Sequence, residues 1–302
     1  MQFLKNKKII FTILIIVLLV ILFFRTGILQ KSKIDFRDLE RWDYDKEGII
    51  LGAERIVLEG KSNVCWYLIH GYTSTPDEMK KMAEEIYREF GETVIVERLK
   101  GHGEVPSHIL DLTLDDWYEQ VSKEFDILKS KCTEVNLVGF SFGGALSTRL
   151  AETKKVNNIY LLSPYIFTTY KYYHIFKFET YLDIFTEILN YSKKTKTGQI
   201  NSQEDLNKHI AYWNMPFAPI KYSKSFLEDM KNNLNKIKNP ILLQQSKNDK
   251  TSDIKSSFYI YENIESENKE LITFEKSNHI IVEDYDKEAV IKNIIDFEKK
   301  TR

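Results

Sequence analysis

The middle of the chain places the tightest constraint on what this sequence can fold into. A short apolar run at 135–138 leads into the glycine-rich stretch GFSFGG at 139–144, and a helical pattern follows to about Thr153. Within that stretch Ser141 stands at the centre of the pattern G-x-S-x-G. Between a strand and a helix, this pattern is typical of a tight turn that presents a serine hydroxyl above a sheet. Its glycines are needed where neighbouring backbone leaves no room for a Cβ.

The sequence from Val64 onward alternates between predicted strands and predicted helices. Strands are predicted at 64–69, 93–96, 135–138, 159–162, 241–244 and 271–274. Helices are predicted after Thr75, at about 114–131, from the glycine-rich stretch to about 153, near 254–264 and at about 287–299. This alternation predicts an α/β fold with a mostly parallel central sheet and helices on both faces. Loops at the carboxyl ends of such strands build the functional site.

Two of the predicted helices begin with residues typical of N-terminal caps. Thr113, followed by Leu-Asp-Asp, predicts a capped helix start. Thr75 is followed by Pro76 at the first helical position and by Glu78 three residues later, which predicts a capping box.

Residues 165–239 interrupt the alternation and contain no obvious strand. Thirteen of the 39 aromatic residues (4 Trp, 17 Tyr and 18 Phe) fall between positions 165 and 217, about twice the share that an even spread would give. We expect helical patches at 181–191 and 225–234. We interpret the segment as a small helical cap inserted over the sheet, because an aromatic-rich insertion at this edge makes an apolar ligand pocket. The alternative is a helical hairpin packed on the edge of the sheet.

Ser141, Asp249 and His279 are the candidate catalytic group. A serine hydroxyl is a weak nucleophile without a base, and on a sheet of this kind the chain order is serine, acid, histidine. His279 follows the strand at 271–274 by a short loop, and Asp249 follows the preceding strand in the same way. Asp249 would orient the imidazole and stabilise its charged form. Asp253 is the alternative acid, although its position also fits the N-cap of the next helix.

Backbone amides near the serine are the candidate donors for an oxyanion. The amide of Phe142 follows the serine directly, and the amide of Tyr72 lies in the loop after the strand at 64–69. His70 and His102 stand beside glycines in loops, and we interpret them as structural. His209 falls in a Lys- and Asn-rich part of the cap, where we expect a surface residue.

The composition excludes several classes of protein. With 43 Lys+Arg against 44 Asp+Glu, the net charge of −1 gives no support for nucleic-acid binding. A hydrophobic fraction of 43% is too high for a disordered chain. Two cysteines are too few for a disulfide scaffold or a thiolate zinc site, and no spacing of histidines or carboxylates indicates a metal site.

The first 33 residues are not expected to belong to the folded domain. Residues 9–24 are apolar except for Thr12, with three lysines before them and Arg25 after them. We interpret this run as an uncleaved single transmembrane helix with the main domain outside the cytoplasm, because a short cationic leader usually stays inside. A cleaved signal peptide is the alternative, but it needs small residues at its cleavage site, and the first alanine is Ala53. Residues 34–47 carry many charges and are expected to form a solvated spacer or a surface helix before the main domain at 48–302.

Taken together, these motifs resemble the α/β-hydrolase superfamily. The chain is most similar to bacterial carboxylesterases of the monoacylglycerol-lipase-like group, which overlap with serine-aminopeptidase-like hydrolases. The resemblance covers about residues 64–297, and it rests on LIHGYT at 68–73, KGHG at 100–103, DDW at 115–117, GFSFGG at 139–144, Asp249 and His279.

The resemblance implies a triad of Ser141, Asp249 and His279, with oxyanion donors at Tyr72 and Phe142. It also implies hydrolysis of short- to medium-chain acyl esters without a cofactor, the substrate being a small acyl ester. Alternative functions are a monoacylglycerol lipase or thioesterase acting on membrane-derived lipids, and a non-catalytic binding protein on the same fold.

Two features of the chain depart from the family pattern, and the state of the two cysteines stays open. Asn278 precedes the histidine where family members often have glycine, and such esterases are commonly soluble, whereas this chain begins with an apolar run. In this superfamily Cys65 and Cys132 would start neighbouring strands, so that a disulfide and two buried free thiols both stay open.

Overall fold

The computed structural model describes residues 2–25, 38–169, 191–194, 199–221 and 223–302. Within these ranges the elements in chain order are α1 (Gln2–Arg25), β1 (Ile56–Leu58), β2 (Val64–Ile69), α2 (Lys80–Phe90), β3 (Thr93–Glu97), α3 (Leu114–Lys131), β4 (Glu134–Phe140), α4 (Phe142–Thr153), β5 (Ile159–Leu162), β6 (Tyr191–Lys193), α5 (Gln203–Lys208), β7 (Asn214–Pro216), α6 (Ala218–Lys221), α7 (Ser223–Asn233), β8 (Ile241–Ser246), α8 (Lys255–Asn263), β9 (Lys269–Phe274) and α9 (Lys287–Thr301).

Seven strands form the central sheet, in the order β1-β3-β2-β4-β5-β8-β9. β1 pairs antiparallel with β3, and every other neighbouring pair is parallel. The predicted mostly parallel α/β sheet is therefore confirmed, and each of the six predicted strands is present. β1 was not predicted, because three residues at the edge of a sheet carry too short an apolar pattern to stand out.

Helices cover both faces of the sheet. Along β2, the side chains of Cys65, Tyr67 and Ile69 enter one buried apolar cluster, and those of Trp66 and Leu68 enter another. The first cluster is completed by α3, α4, α7 and α8, and the second by α2 and α9. Side chains of a strand point alternately to the two faces, so a strand buried on both faces reads as a continuous apolar run.

The two predicted helix caps have different outcomes. Thr113 and Asp116 form a reciprocal capping box at the start of α3, which confirms the capped start. The capping box predicted from Thr75 and Glu78 is wrong. Thr75 precedes a short 3₁₀ turn at Pro76–Met79, and Glu78 lies within it. The Thr75 hydroxyl donates to the carbonyl of Ile210, and Glu78 accepts from the amide of Gly71 in the loop that follows β2. Hydrogen bonds to residues outside the turn thus replace the local capping bonds.

Cys65 on β2 and Cys132 after α3 are joined by a disulfide, with their Cα atoms 5.9 Å apart. The pair lies where the chain enters β2 and β4, two neighbouring parallel strands. A bridge across a sequence separation of 67 residues restricts the unfolded chain, which stabilises the folded state by about 4 kcal/mol in the loop-entropy description.

The segment at 165–239 is only partly helical. α7 confirms the helical patch predicted at 225–234, whereas that predicted at 181–191 lies outside the described residues except for Tyr191. β6 and β7 pair antiparallel across a long connection that includes α5, and this two-stranded unit is called the hairpin below. It corrects the expectation that the segment holds no strand. Three-residue strands rich in polar residues leave no alternating pattern in the sequence.

The N-terminal part of the chain differs from expectation in two ways. The predicted transmembrane helix is not supported, since no helix within the described ranges is both long and apolar enough to cross a membrane. The described part of the expected spacer, 38–47, is exposed or half-buried at every position but one. Asp38 is only 1% exposed and bonds to β7, and the following Ile50 is fully buried in the core of the sheet domain.

Candidate active site

Ser141 lies on a sharp turn between β4 and α4. Its backbone has φ of +51° and ψ of −113°, a conformation that few residues other than glycine adopt. A Cβ at Gly143 would lie 2.1 Å from the carbonyl oxygen of Ile69, and one at Gly139 would lie 2.4 Å from the carbonyl oxygen of Gly143. The glycines of the motif are thus required by the close approach of backbone, as the sequence pattern predicts.

The structure brings Ser141, His279 and Asp249 into one hydrogen-bonded chain. The Ser141 Oγ lies 2.8 Å from His279 Nε2, and His279 Nδ1 lies 2.8 Å from Asp249 Oδ2. All three residues are buried, with exposed fractions of 7%, 3% and 6%. They come from the carboxyl ends of β4, β9 and β8, so the parallel sheet collects them at one edge.

The orientation of the Asp249 carboxylate is fixed by its other oxygen. Asp249 Oδ1 accepts from the amides of Thr251 and Ser252 at 2.8 and 2.9 Å, which leaves Oδ2 for the imidazole and for Gln245 Nε2, which donates to it at 3.2 Å. Asp253, the alternative acid, accepts instead from the amide of Lys255 at 2.9 Å. Within the described ranges, the structure places Asp249 and not Asp253 against the histidine.

Asn278 connects the loops that carry the acid and the histidine. Its Oδ1 accepts from the amide of His279 at 2.9 Å and from the amide of Lys250 at 3.1 Å. The backbone amide of Asn278 donates to Asp284 Oδ2 at 2.7 Å. The asparagine that departs from the family pattern therefore supplies an acceptor between the two loops, which glycine does not have.

Tyr72 and Phe142 lie beside the serine, and both line the same cavity. Phe142 occupies the first position of α4, where an amide has no acceptor within its own helix. The Tyr72 amide and the Gly71 carbonyl belong to the same peptide group. His70 Nδ1 lies 2.8 Å from the oxygen of that carbonyl. His70 Nε2 accepts from the amide of Leu99, so the ring is neutral and Nδ1 carries the proton. This geometry fits the structural role expected for His70.

The cavity over Ser141 has a volume of about 150 Å³ and is mostly apolar. Its apolar lining comes from the sheet edge, from α3, from α4 and from the segment at 165–239: Leu114, Phe140, Phe142, Met215, Pro219 and Ile220. Described residues of the 165–239 segment thus line one pocket with the serine.

Three ionisable cap and loop side chains also line this cavity: Glu78, Lys194 and His209. Glu78 Oε1 accepts from the amide of Gly71 at 2.5 Å, while Glu78 Oε2 and His209 Nε2 are buried without a partner in the described part of the chain. Burial raises the pKa of the Glu78 carboxyl to about 7 and lowers the pKa of Lys194 to about 8. The cavity therefore has an unpaired polar side as well as an apolar one.

The surface position expected for His209 is wrong. Its side chain is 9% exposed, and its Nδ1 lies 2.6 Å from Glu283 Oε2. Burial opposes a charge on the imidazole, but the Glu283 carboxylate outweighs that effect and raises the pKa of His209. The surrounding lysines and asparagines gave a surface-like local pattern, and the partner is 74 residues away, so no local signal could have found it.

A serine on a strand–helix turn, bonded to a histidine and through it to an aspartate at the edge of a mostly parallel sheet, defines the α/β-hydrolase class. Residues 61–286 match the model of the family described as serine aminopeptidase, S33. The chain belongs to this family and is a hydrolase.

Curated relatives and solved structures agree with this assignment. The chain is 24% identical over 235 residues to a carboxylesterase of Bacillus subtilis (77% of this chain, 91% of the relative). It is 27% identical over 250 residues to a thermostable monoacylglycerol lipase of Bacillus sp. strain H-257 (82% and 95%). A structure of metagenome-derived lipolytic enzymes, LipS and LipT, superimposes with a TM-score of 0.74 at 26% identity, covering 83% of this chain and 99% of that one.

Proposed function

We propose that this chain is a serine esterase that cleaves carboxylic esters with short- to medium-chain acyl groups. The observation that carries the proposal is the continuous chain of hydrogen bonds from Ser141 through His279 to Asp249. Such a chain supplies a nucleophile, its base and the group that orients the base, as acyl transfer requires. It also argues against a non-catalytic binding protein, which has no need of this arrangement.

The proposed reaction runs through an acyl-enzyme. Ser141 Oγ attacks the ester carbonyl as His279 Nε2 accepts its proton, and the amides of Tyr72 and Phe142 hold the oxyanion. The tetrahedral intermediate collapses, and the alcohol leaves with the proton from His279. Water then attacks the acyl-enzyme with His279 again as base, which releases the acid and restores Ser141. Asp249 keeps the imidazole in the required tautomer, and no cofactor is needed.

A second candidate function is hydrolysis of monoacylglycerols, and the polar lining of the cavity favours it. The unpaired Glu78 Oε2 and His209 Nε2 offer hydrogen-bonding sites that a simple alkyl leaving group leaves unused. A hydroxylated leaving group such as glycerol satisfies them, because buried polar groups discriminate against ligands that lack a partner. One similar protein is described as a monoacylglycerol lipase. A thioesterase is the third enzyme alternative, and no contact favours it specifically.

The full-length chain in detergent is expected to hydrolyse p-nitrophenyl esters and to react with a fluorophosphonate probe at Ser141. With a cavity of about 150 Å³, acyl chains of about four to eight carbons are expected to give the highest kcat/KM. The measurement is a panel of esters of increasing acyl length, together with glycerol and thioester forms of the preferred acid.

The panel also separates the alternatives. A higher kcat/KM for the glycerol ester than for the propyl ester of the same acid selects the monoacylglycerol lipase, and a preferred thioester selects the thioesterase. Folded protein that turns over none of these substrates and is not labelled contradicts the proposal as a whole.

We further propose that α1 attaches the hydrolase to a membrane on the side away from the cytoplasm. The large apolar side chains at positions 9–20 are 41–65% exposed, and lysines precede them in the sequence. The disulfide between Cys65 and Cys132 supports an oxidising compartment, since disulfides are rare where thiols are kept reduced.

High-salt washing of membranes is expected to leave the full-length protein in the membrane fraction. Salt removes attachment by surface charge, because the Debye length falls to about 3 Å at 1 M ionic strength. Immunoblots of pellets and washes check this result. Recovery of the protein in the washes, or a mature N-terminus near residue 30, contradicts the attachment.

A further inference from the structure

The chain between α1 and the sheet domain contacts the wall of the active-site cavity. We call residues 38–42 the strap; they precede the first residue of the family match, Lys61, by about twenty positions. Asp38 is 1% exposed, although nothing in its sequence surroundings predicts burial. A buried carboxylate needs hydrogen-bond donors, and those of Asp38 come from β7 and the residue before it.

The strap binds the hairpin of β6 and β7 through two hydrogen bonds and a ring contact. Asp38 Oδ1 accepts from the amide of Trp213 at 2.9 Å, and Asp38 Oδ2 accepts from Asn214 Nδ2 at 2.6 Å. The guanidinium of Arg41 lies 4.0 Å from the centre of the Trp213 ring. Trp213 and Asn214 are thus held by a segment that is distant from them in sequence.

The hairpin in turn forms part of the cavity. Met215 and Lys194 line it, and the amide of Lys194 donates to the carbonyl of Trp213 at 2.7 Å. The carbonyl of Pro216 accepts from the Tyr72 hydroxyl at 2.8 Å, which joins the hairpin to the candidate oxyanion loop. A short two-stranded hairpin has little stability of its own, so its position depends on such outside contacts.

We propose that Asp38 is a positioning residue that fixes this hairpin as the wall of the substrate pocket. It does not touch the reacting atoms; it acts through Trp213 and Asn214 on Met215 and Lys194. The strap therefore sets how well the ester is held, while the triad sets how fast it is cleaved. The proposal rests on the proposed esterase function, because ester kinetics are its readout.

The test compares full-length variants in detergent on the p-nitrophenyl ester that the wild type prefers. Asp38→Ala removes both acceptors that hold Trp213 and Asn214, so KM is expected to rise about fivefold to tenfold while kcat stays within about threefold. Asp38→Asn keeps one acceptor but sets its amide group against that of Asn214, and an intermediate rise is expected.

The double variant Asp38→Asn with Asn214→Asp exchanges the two groups and restores the hydrogen bond. Its KM is expected to return to within about twofold of the wild-type value, which a merely destabilising change would not do. Asp43→Asn is the matched control, since Asp43 is an exposed carboxylate five residues further along the chain. Its KM is expected to be unchanged.

Two results overturn the proposal. One is a folded Asp38→Ala protein whose KM is within twofold of the wild type. The other is a double variant with a KM no lower than that of Asp38→Asn. If Asp38→Ala does not fold, the KM of Asp38→Asn is compared with that of the double variant, and this comparison decides. A wild type without esterase activity is a different outcome, because it contradicts the proposed function before the strap is tested.

Discussion

Replacing Ser141 by alanine is expected to lower kcat/KM for ester hydrolysis by at least about a thousandfold, with the protein still folded. The change removes the oxygen that lies 2.8 Å from His279 Nε2 and leaves the base with nothing to activate. Alanine adopts the strained backbone of the turn no less readily than serine, so little stability is lost. Steady-state kinetics, with circular dichroism and thermal melting of both proteins, measure the effect.

Ser147→Ala is the matched control for this change. Ser147 lies on the same helix, α4, and its buried hydroxyl has no hydrogen-bond partner in the described part of the chain. Because Ser147 does not line the cavity, activity is expected to stay within about twofold of wild type. More than one tenth of wild-type activity in Ser141→Ala would show that another residue is the nucleophile.

Replacing Asp249 by asparagine is expected to lower kcat/KM by about a thousandfold to ten-thousandfold. The amides of Thr251 and Ser252 both donate to one carboxylate oxygen, so the asparagine carbonyl must take that position. Its amide group then faces His279 Nδ1 and donates to it. The imidazole is forced into the tautomer that carries its proton on Nε2, which cannot accept the proton of Ser141.

Asp253→Asn is the control for the acid, because it makes the same chemical change four residues away. The Asp253 carboxylate accepts from the nearby amide of Lys255, and asparagine keeps that bond, so activity is expected to stay within about threefold. Kinetics of the two variants, each shown to be folded by its melting curve, compare them. If Asp253→Asn is the more harmful change, the acid has been wrongly assigned.

The parts of the fold that could be predicted are those whose signals are local. Strands buried on both faces need continuous apolar runs, and these stand out in sequence at 64–69 and 159–162. The turn at Ser141 is equally visible, since close backbone approach restricts two of its positions to glycine. Chain order then indicates which aspartate and which histidine follow the correct strand ends.

The features that sequence reasoning missed depend on distant partners. Glu78 reads as a capping residue, but its oxygen accepts from Gly71, because the tertiary amide competes with the local one. His209 and Asp38 sit among charged residues and read as exposed, yet their partners are Glu283 and β7. Burial of a charged side chain is decided by what packs against it, and a single sequence does not contain that information.

The contact of Asp38 with β7 limits how far the cavity can lie from the first helix. Thirteen residue steps separate Arg25, at the end of α1, from Asp38. At most about 3.5 Å per residue, they reach about 45 Å. If α1 holds a lipid surface, the cavity stays within that distance of the surface. The chain from Arg25 to Asp38 is then the tether, and the strap attaches it next to the pocket. Substrates concentrated at the surface are then met at a high local concentration, while those in bulk solution gain nothing from the tether.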